Sequence, residues 1–255
     1  MKLLIVGAGY VGMALLHYLK GKEHEIYVTT TDENRVGLLK DSAKEVILLK
    51  SSEDLERAVE KCDGMILLIA PKNKQSYEDT YLAMARRISS ILKERKKPFY
   101  LLYTSSTGVY EGIEDEWARE DVVLNPISEN GKILLETENL LLECATTCVL
   151  RLGGIFGPDR EIEVRALRLS NKELPGTGKE PTNHIHQEDI VSAIAFCLEH
   201  HLSGIYNLVN NDHPLRKELY PLCRWNKDLS HNKKNYKVSN QKIVAAGFTT
   251  SMHSI

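Results

Sequence analysis

The run "GAGYVG" spaces Gly7, Gly9 and Gly12 as G-x-G-x-x-G, directly after an apolar stretch and ahead of a helical pattern. Gly7 permits a tight turn, Gly9 lets the backbone approach a pyrophosphate, and Gly12 allows a helix to pack closely on a strand. A helix opening here aims its amide dipoles at negative charge. The chemistry is that of dinucleotide binding, with Tyr10 and Val11 among the contacts. Further on, "VTTTDENR" ends a second apolar run, with Thr30 and Thr31 at the strand end. Asp32 follows Gly12 by twenty residues, where a carboxylate would accept from a ribose 2′-OH and favour NAD. Arg35 would instead favour the 2′-phosphate of NADP, and the balance leans slightly to NAD. "APKNK" follows a fourth apolar run, so Ala70 and Pro71 are expected to border the cofactor and Lys72 and Lys74 to be solvated.

Two further stretches carry reactive or binding side chains. "GGIFGPDR" ends on Arg160, followed by Arg165 and Arg168. A guanidinium there could hold a substrate carboxylate or phosphate, and equally these could be ordinary helix-surface charges. "HIH" puts His184 and His186 on one face of a strand, but no third ligand stands at a metal-binding spacing. That stretch reads as structural, with no metal.

The elements that must position these residues follow from the apolar periodicity. Runs of strand length at Lys2–Val6, Glu25–Thr29, Glu45–Leu49, Gly64–Ala70, Pro98–Thr104 and Thr147–Leu152 alternate with helical patterns. Strands lacking strict alternation are buried on both faces, the mark of a parallel sheet covered by helices. The fold class is therefore α/β, a Rossmann-type doubly wound parallel sheet. After Gly153 the rhythm breaks into turn-rich sequence. The expected organisation is a dinucleotide-binding core over 1–152 and a small C-terminal substrate lobe over 153–255, part of whose strands and helices return to the core.

Composition excludes several classes. Net charge is −2, with 33 basic and 35 acidic residues, so no basic field marks a nucleic-acid binder. "KERKK" and "HNKKNYK" are short and read as solvated. The five cysteines lack C-x-x-C spacing and read as buried thiols of a reducing compartment. "MKLLIVGAGYVG" is a first strand rather than a signal peptide, and no apolar run is long enough to span a membrane. The expectation is a soluble, cytoplasmic protein with no nucleic-acid or membrane partner.

With the glycine loop, "YTSSTGVY", "LRLGGIFGPDR" and "NHIHQEDIVSAI" in that order, the chain resembles the extended short-chain dehydrogenase/reductases of the NAD-dependent epimerase/dehydratase superfamily. "NPISENGKILLETENLL" and "GIYNLVNNDHPLRKELYPL" look like its atypical, YeeZ-like branch. The resemblance implies a serine at the end of the fifth strand and a Tyr-x-x-x-Lys pair on the following helix. In that pair the lysine lowers the phenol's pKa from ~10 and the serine polarises the substrate oxygen. Carried over by position, Ser106 is the serine, with Ser105 and Thr107 beside it and Thr107 a substrate contact. The tyrosine falls on Asn130 and the lysine on Leu134, neither of which can do acid–base work. The literal Tyr18–Lys22 pair closes the first helix and reads as chance.

If chemistry occurs, another group must carry the proton. Glu129, Lys132 and Tyr110 are the candidates, Tyr110 first among them. The resemblance also implies a homodimer through the helices at Ser76–Glu94 and Ser128–Ala145. Two readings stand. One is an NAD(P)-dependent oxidoreductase or epimerase-like enzyme acting on a small polar substrate. The other is a catalytically silent NAD(P)-binding sensor or partner-binding protein.

Overall fold

The computed structural model describes residues 1–71, 76–113, 116–229 and 235–251. Lys72 and Lys74 lie outside the described residues, as do residues 231–234 of the second basic run.

The first strands, β1 (Lys2–Val6), β2 (Glu25–Thr30), β3 (Glu45–Leu48), β4 (Gly64–Leu67) and β5 (Tyr100–Ser106), are separated by helices α1 (Tyr10–Leu19), α2 (Val36–Leu39), α3 (Ser52–Lys61) and α4 (Ala83–Glu94). Then come β6 (Trp117–Ala118), α5 (Glu129–Cys144), β7 (Thr146–Leu152), β8 (Gly154–Phe156), α6 (Ile162–Leu169), β9 (Glu173–Pro175) and β10 (His184–His186). The chain continues through α7 (Gln187–Glu199), β11 (Gly204–Leu208), α8 (Arg216–Leu219), β12 (Arg224–Asn226), β13 (Lys237–Val238) and α9 (Gln241–Ala245).

Seven strands form one sheet in the order β11-β7-β5-β4-β1-β2-β3. β1 pairs in parallel with β2 and β4, β2 with β3, and β4 with β5. Leu3, Leu4 and Ile5 are all fully buried although their side chains alternate in direction, so both sheet faces are covered. Strand order reverses between β1 and β4. Such a switch point is where an open α/β sheet leaves a ligand crevice beyond its carboxyl ends. The glycine loop leaves β1 there, and Leu68 to Pro71 leave β4.

The helices start where local chemistry lets them. Ser51 and Asp54 form a capping box at the head of α3. Helix α1 begins at Gly9 with no side-chain cap, which leaves its first amides for something else. On α5 the stripe Ile133, Leu134, Thr137 and Leu141 is buried, while Glu129, Asn130, Lys132 and Glu136 are exposed.

The chain gathers into two compact units, each made of three stretches of sequence. The first comprises Met1–Ser105, Ile133–Leu150 and Ile194–Ile205; the second comprises Ser106–Lys132, Arg151–Ala193 and Tyr206–Ile255. The reason lies in the ends of the sheet strands, since the chain changes unit at Ser106 as β5 ends and again within β7 and β11. Within the second unit, short parallel pairs β8–β10, β9–β12 and β6–β13 replace the long strands. Among the described residues, no helix is long and apolar enough to cross a membrane.

Candidate functional site

In the first unit, the glycine loop has the geometry its spacing predicts. Gly7 has φ +105°, and a Cβ there would lie 2.3 Å from the Leu68 carbonyl oxygen. A Cβ on Gly12 would lie 2.2 Å from the Gly7 carbonyl oxygen. Both positions are closed to any side chain. Gly9 is the opposite case: nothing lies within 4 Å of the place its Cβ would occupy. An open space before uncapped helix amides fits a pyrophosphate, so these residues suit a dinucleotide. Tyr10 and Val11 begin α1 and are half-buried; Ala70 is exposed and Pro71 half-buried after β4.

At the end of β2, the Thr30 hydroxyl accepts from the Asp32 amide at 3.1 Å and donates to its carbonyl at 3.2 Å. Thr31 and Asp32 are exposed, and the Asp32 carboxylate accepts from the Asn34 amide at 3.0 Å. Arg35 Nη2 donates to the Ala8 carbonyl within the glycine loop at 2.6 Å.

The second unit holds a cavity of about 750 Å³, a size ordinary for small-molecule sites. Ser106 and Thr107 stand on its wall with Asn183, His184, Arg165, Arg216 and Tyr236. Ser106 Oγ accepts from the Gly108 amide at 3.1 Å and caps the short helical turn Thr107–Tyr110, so its own proton is free to donate. Gly153 and Gly154 also line the cavity, and both must lack side chains. Their Cβ atoms would lie 2.8 Å from the Asn183 carbonyl oxygen and 2.9 Å from the His184 ring, respectively.

The electrostatics of the wall are uneven. His184 is 8% exposed and its Nδ1 has no hydrogen-bond partner. Burial, with the positive charge of Arg165, lowers its pKa to about 4, so the imidazole is neutral at physiological pH. Tyr236 donates to the Thr107 carbonyl at 3.4 Å, and burial raises its pKa, keeping the phenol protonated. Arg216 donates to the Pro175 carbonyl at 2.6 Å, lies 3.9 Å from the Glu180 carboxylate and stacks over Trp225 at 4.7 Å. Arg165 has no carboxylate partner among the described residues and lies over the Tyr220 ring at 5.8 Å.

Several sequence candidates fall elsewhere. Tyr110 is not on the cavity wall; it is fully buried. Its hydroxyl accepts from Arg151 Nη1 at 2.8 Å and donates to Asn207 Oδ1 at 2.8 Å, while the Arg151 guanidinium lies 4.9 Å over the ring. Burial raises its pKa further, against a lowering by Arg151, so this phenol bridges a buried cation and an amide and is not placed to carry a proton to a ligand. Arg160 is exposed and absent from the wall; of Arg160, Arg165 and Arg168 it is Arg165, one turn into α6, that lines it. Asn130 is exposed on the first turn of α5 and Leu134 is 3% exposed in the apolar stripe. Glu129 and Lys132 are exposed and face each other at 3.9 Å. Ser105, the neighbour of Ser106, donates to the buried Glu138 carboxylate at 2.5 Å. Lys22 lies over the Tyr18 ring at 4.1 Å, a surface contact at the end of α1. His184 and His186 belong to no group of three metal-ligating side chains among the described residues.

Sequence reasoning missed Tyr236, Arg216 and the cavity role of His184. The doubled glycine at 153 and 154 was the available signal for His184, since both glycines make room for the strand that carries it. Tyr236 gave none, because it stands in a basic run that reads as loop.

Among curated proteins, none matches the sequence significantly. Solved structures do resemble it. UDP-glucose 4-epimerase of Thermus thermophilus, in complex with NAD, superposes with TM-score 0.78 at 18% identity over 100% of this chain and 95% of that one. dTDP-glucose 4,6-dehydratase of Bacillus anthracis, in complex with NAD, gives 0.77 at 18% over 96% and 89%. UDP-glucuronic acid 4-epimerase of Bacillus cereus, with UDP-glucuronic acid and NAD, gives 0.77 at 17% over 96% and 92%. At such identities the likeness is one of fold. The profile of the NAD dependent epimerase/dehydratase family matches residues 3–209, which spans the glycine loop, Ser106 and β11, and the chain belongs to that family.

Proposed function

We propose that the protein binds NAD(P) at the glycine loop and acts as an epimerase-like oxidoreductase on a small polar, anionic substrate seated in the cavity of the second unit. The observation that carries this reading is Ser106, whose hydroxyl stands on the cavity wall with its proton unspent. The nicotinamide, when bound, supplies hydride transfer. Ser106 would donate to the reacting oxygen, and Thr107 and Asn183 would orient neighbouring hydroxyls. Arg165 would neutralise the substrate's charge. Tyr236, held protonated, is able to donate a hydrogen bond but not to rest as a base.

One observation favours the silent reading. By positional carry-over from the family pattern, Asn130 and Leu134 would stand in place of the usual acid–base pair, and His184 and Tyr236 both titrate away from neutrality. The test has two arms. Millimolar dinucleotide should raise the melting temperature, and turnover of a panel of sugar nucleotides and free sugar acids, followed by cofactor absorbance and mass spectrometry, should fall about a hundredfold in Ser106→Ala. Dinucleotide binding with no turnover of any panel member would establish the silent protein instead.

A further inference from the structure

The end of β2 decides which dinucleotide fits, and there the side chains have taken up positions that spacing alone does not reveal. Asp32, at the distance expected of a ribose-binding acid, turns its carboxylate onto the Asn34 amide of its own turn. Thr30, the last residue of the strand, spends its hydroxyl as donor and acceptor on the Asp32 backbone. Glu33 is paired with Lys50 at 2.5 Å. Asp32 is exposed and held in its own turn, with one carboxylate oxygen taken by Asn34 and the other still able to accept.

Arg35 is differently placed. Its side chain reaches back to the glycine loop and is fixed there by the 2.6 Å bond from Nη2 to the Ala8 carbonyl. It has no carboxylate partner among the described residues. A guanidinium carries five donors, so one bond to Ala8 leaves the rest of the fork for another acceptor. In a fold of this kind the loop would receive a pyrophosphate and the end of the second strand the adenosine ribose, so a cation braced between them would stand near the ribose 2′ position.

We infer that this site selects the 2′-phosphorylated dinucleotide, NADP(H), over NAD(H), and that Arg35, braced on the Ala8 carbonyl, is the residue that selects it. This rests on the dinucleotide reading above and reverses the slight lean to NAD that the spacing of Asp32 gives. A phosphate monoester accepts the planar fork in two parallel bonds, and the contact is charge-assisted. A hydroxyl offers Arg35 only a weak neutral acceptor.

The experiment is calorimetric titration of the full chain with NADPH and with NADH, together with adenosine 2′,5′-bisphosphate and ADP as fragments lacking the nicotinamide. NADPH should bind at least about tenfold more tightly than NADH, the ordinary worth of one charge-assisted contact. Adenosine 2′,5′-bisphosphate should bind in preference to ADP. Arg35→Gln, which keeps a donor for the Ala8 carbonyl, should abolish the preference by weakening NADPH alone, and Arg35→Lys should restore part of it. Equal or tighter binding of NADH overturns the inference, and so does an equal loss for both cofactors in Arg35→Gln, which would make Arg35 a brace of the loop only. The wild-type ratio stands as a test even if a variant fails to fold. Binding of neither dinucleotide would overturn the dinucleotide reading itself, a result distinct from equal binding of both.

Discussion

The glycine loop and the head of α5 begin from the same expectation and end differently. At the loop, Gly7 and Gly12 are each enclosed by backbone oxygens and Gly9 stands open. On α5 the two positions where the family resemblance would place a phenol and an ammonium hold an exposed amide, Asn130, and a buried hydrocarbon, Leu134. A loop closed by backbone oxygens at Gly7 and Gly12 tolerates no side chain at either of those positions. A proton relay made from two side chains can be dismantled while the helix keeps its packing. The first region is fixed by stereochemistry; the second is constrained by packing at Leu134 and not at the exposed Asn130.

The comparison breaks most visibly at Gly7. Alanine there meets both a positive φ and a carbonyl at 2.3 Å, and Gly7→Ala should cost about 3 kcal/mol or more in chemical denaturation. Gly9→Ala should leave stability nearly unchanged and still reduce the melting-temperature shift given by dinucleotide. If both variants are equally stable, the enclosure of Gly7 is not what constrains the loop.

A second effect of similar size belongs to the cavity. His184 has its pKa lowered from 6.5 to about 4, so between those values the unfolded chain binds a proton that the folded one refuses. The contribution of neutral His184 is fully present above 6.5 and is lost as pH falls to about 4, amounting to up to about 3 kcal/mol. Denaturation across that range should show the fall, and His184→Gln should flatten it. An unchanged profile in the variant would place the titration elsewhere.

The smallest effect sharpens the contrast. Asn130 is exposed on the first turn of α5, so Asn130→Ala should change stability by less than about 0.5 kcal/mol and leave dinucleotide binding intact. A loss of binding would give the amide a place in the cofactor site.

How much was legible follows from how local each signal is. The glycine loop and β1 need only a dozen consecutive residues, and both appear where the sequence puts them. The buried stripe of α5, with Leu134 in it, was also readable, because helical spacing is local. Tyr110 was misread for the complementary reason. Nothing within "TSSTGVY" shows that Arg151 and Asn207, distant in sequence, will take both valences of its hydroxyl. The cavity wall runs from Ser106 to Tyr236, and only tertiary structure brings such residues together. Arg165 was named beside Arg160, but which of the two faces the cavity depends on the phase of α6, which begins only at Ile162.

The way the chain alternates between its two units bears on how it can be made and cut. It changes unit after Ser105, Lys132, Leu150, Ala193 and Ile205, and β11 of the seven-stranded sheet spans residues 204–208. During synthesis neither unit is complete until the ribosome has passed that strand. A nascent chain of 152 residues carries the glycine loop and yet leaves β7 as an open edge, the kind of exposed strand that invites aggregation or chaperone capture. A fragment cut after β7 would therefore keep the glycine loop but lack the β11 edge of the sheet.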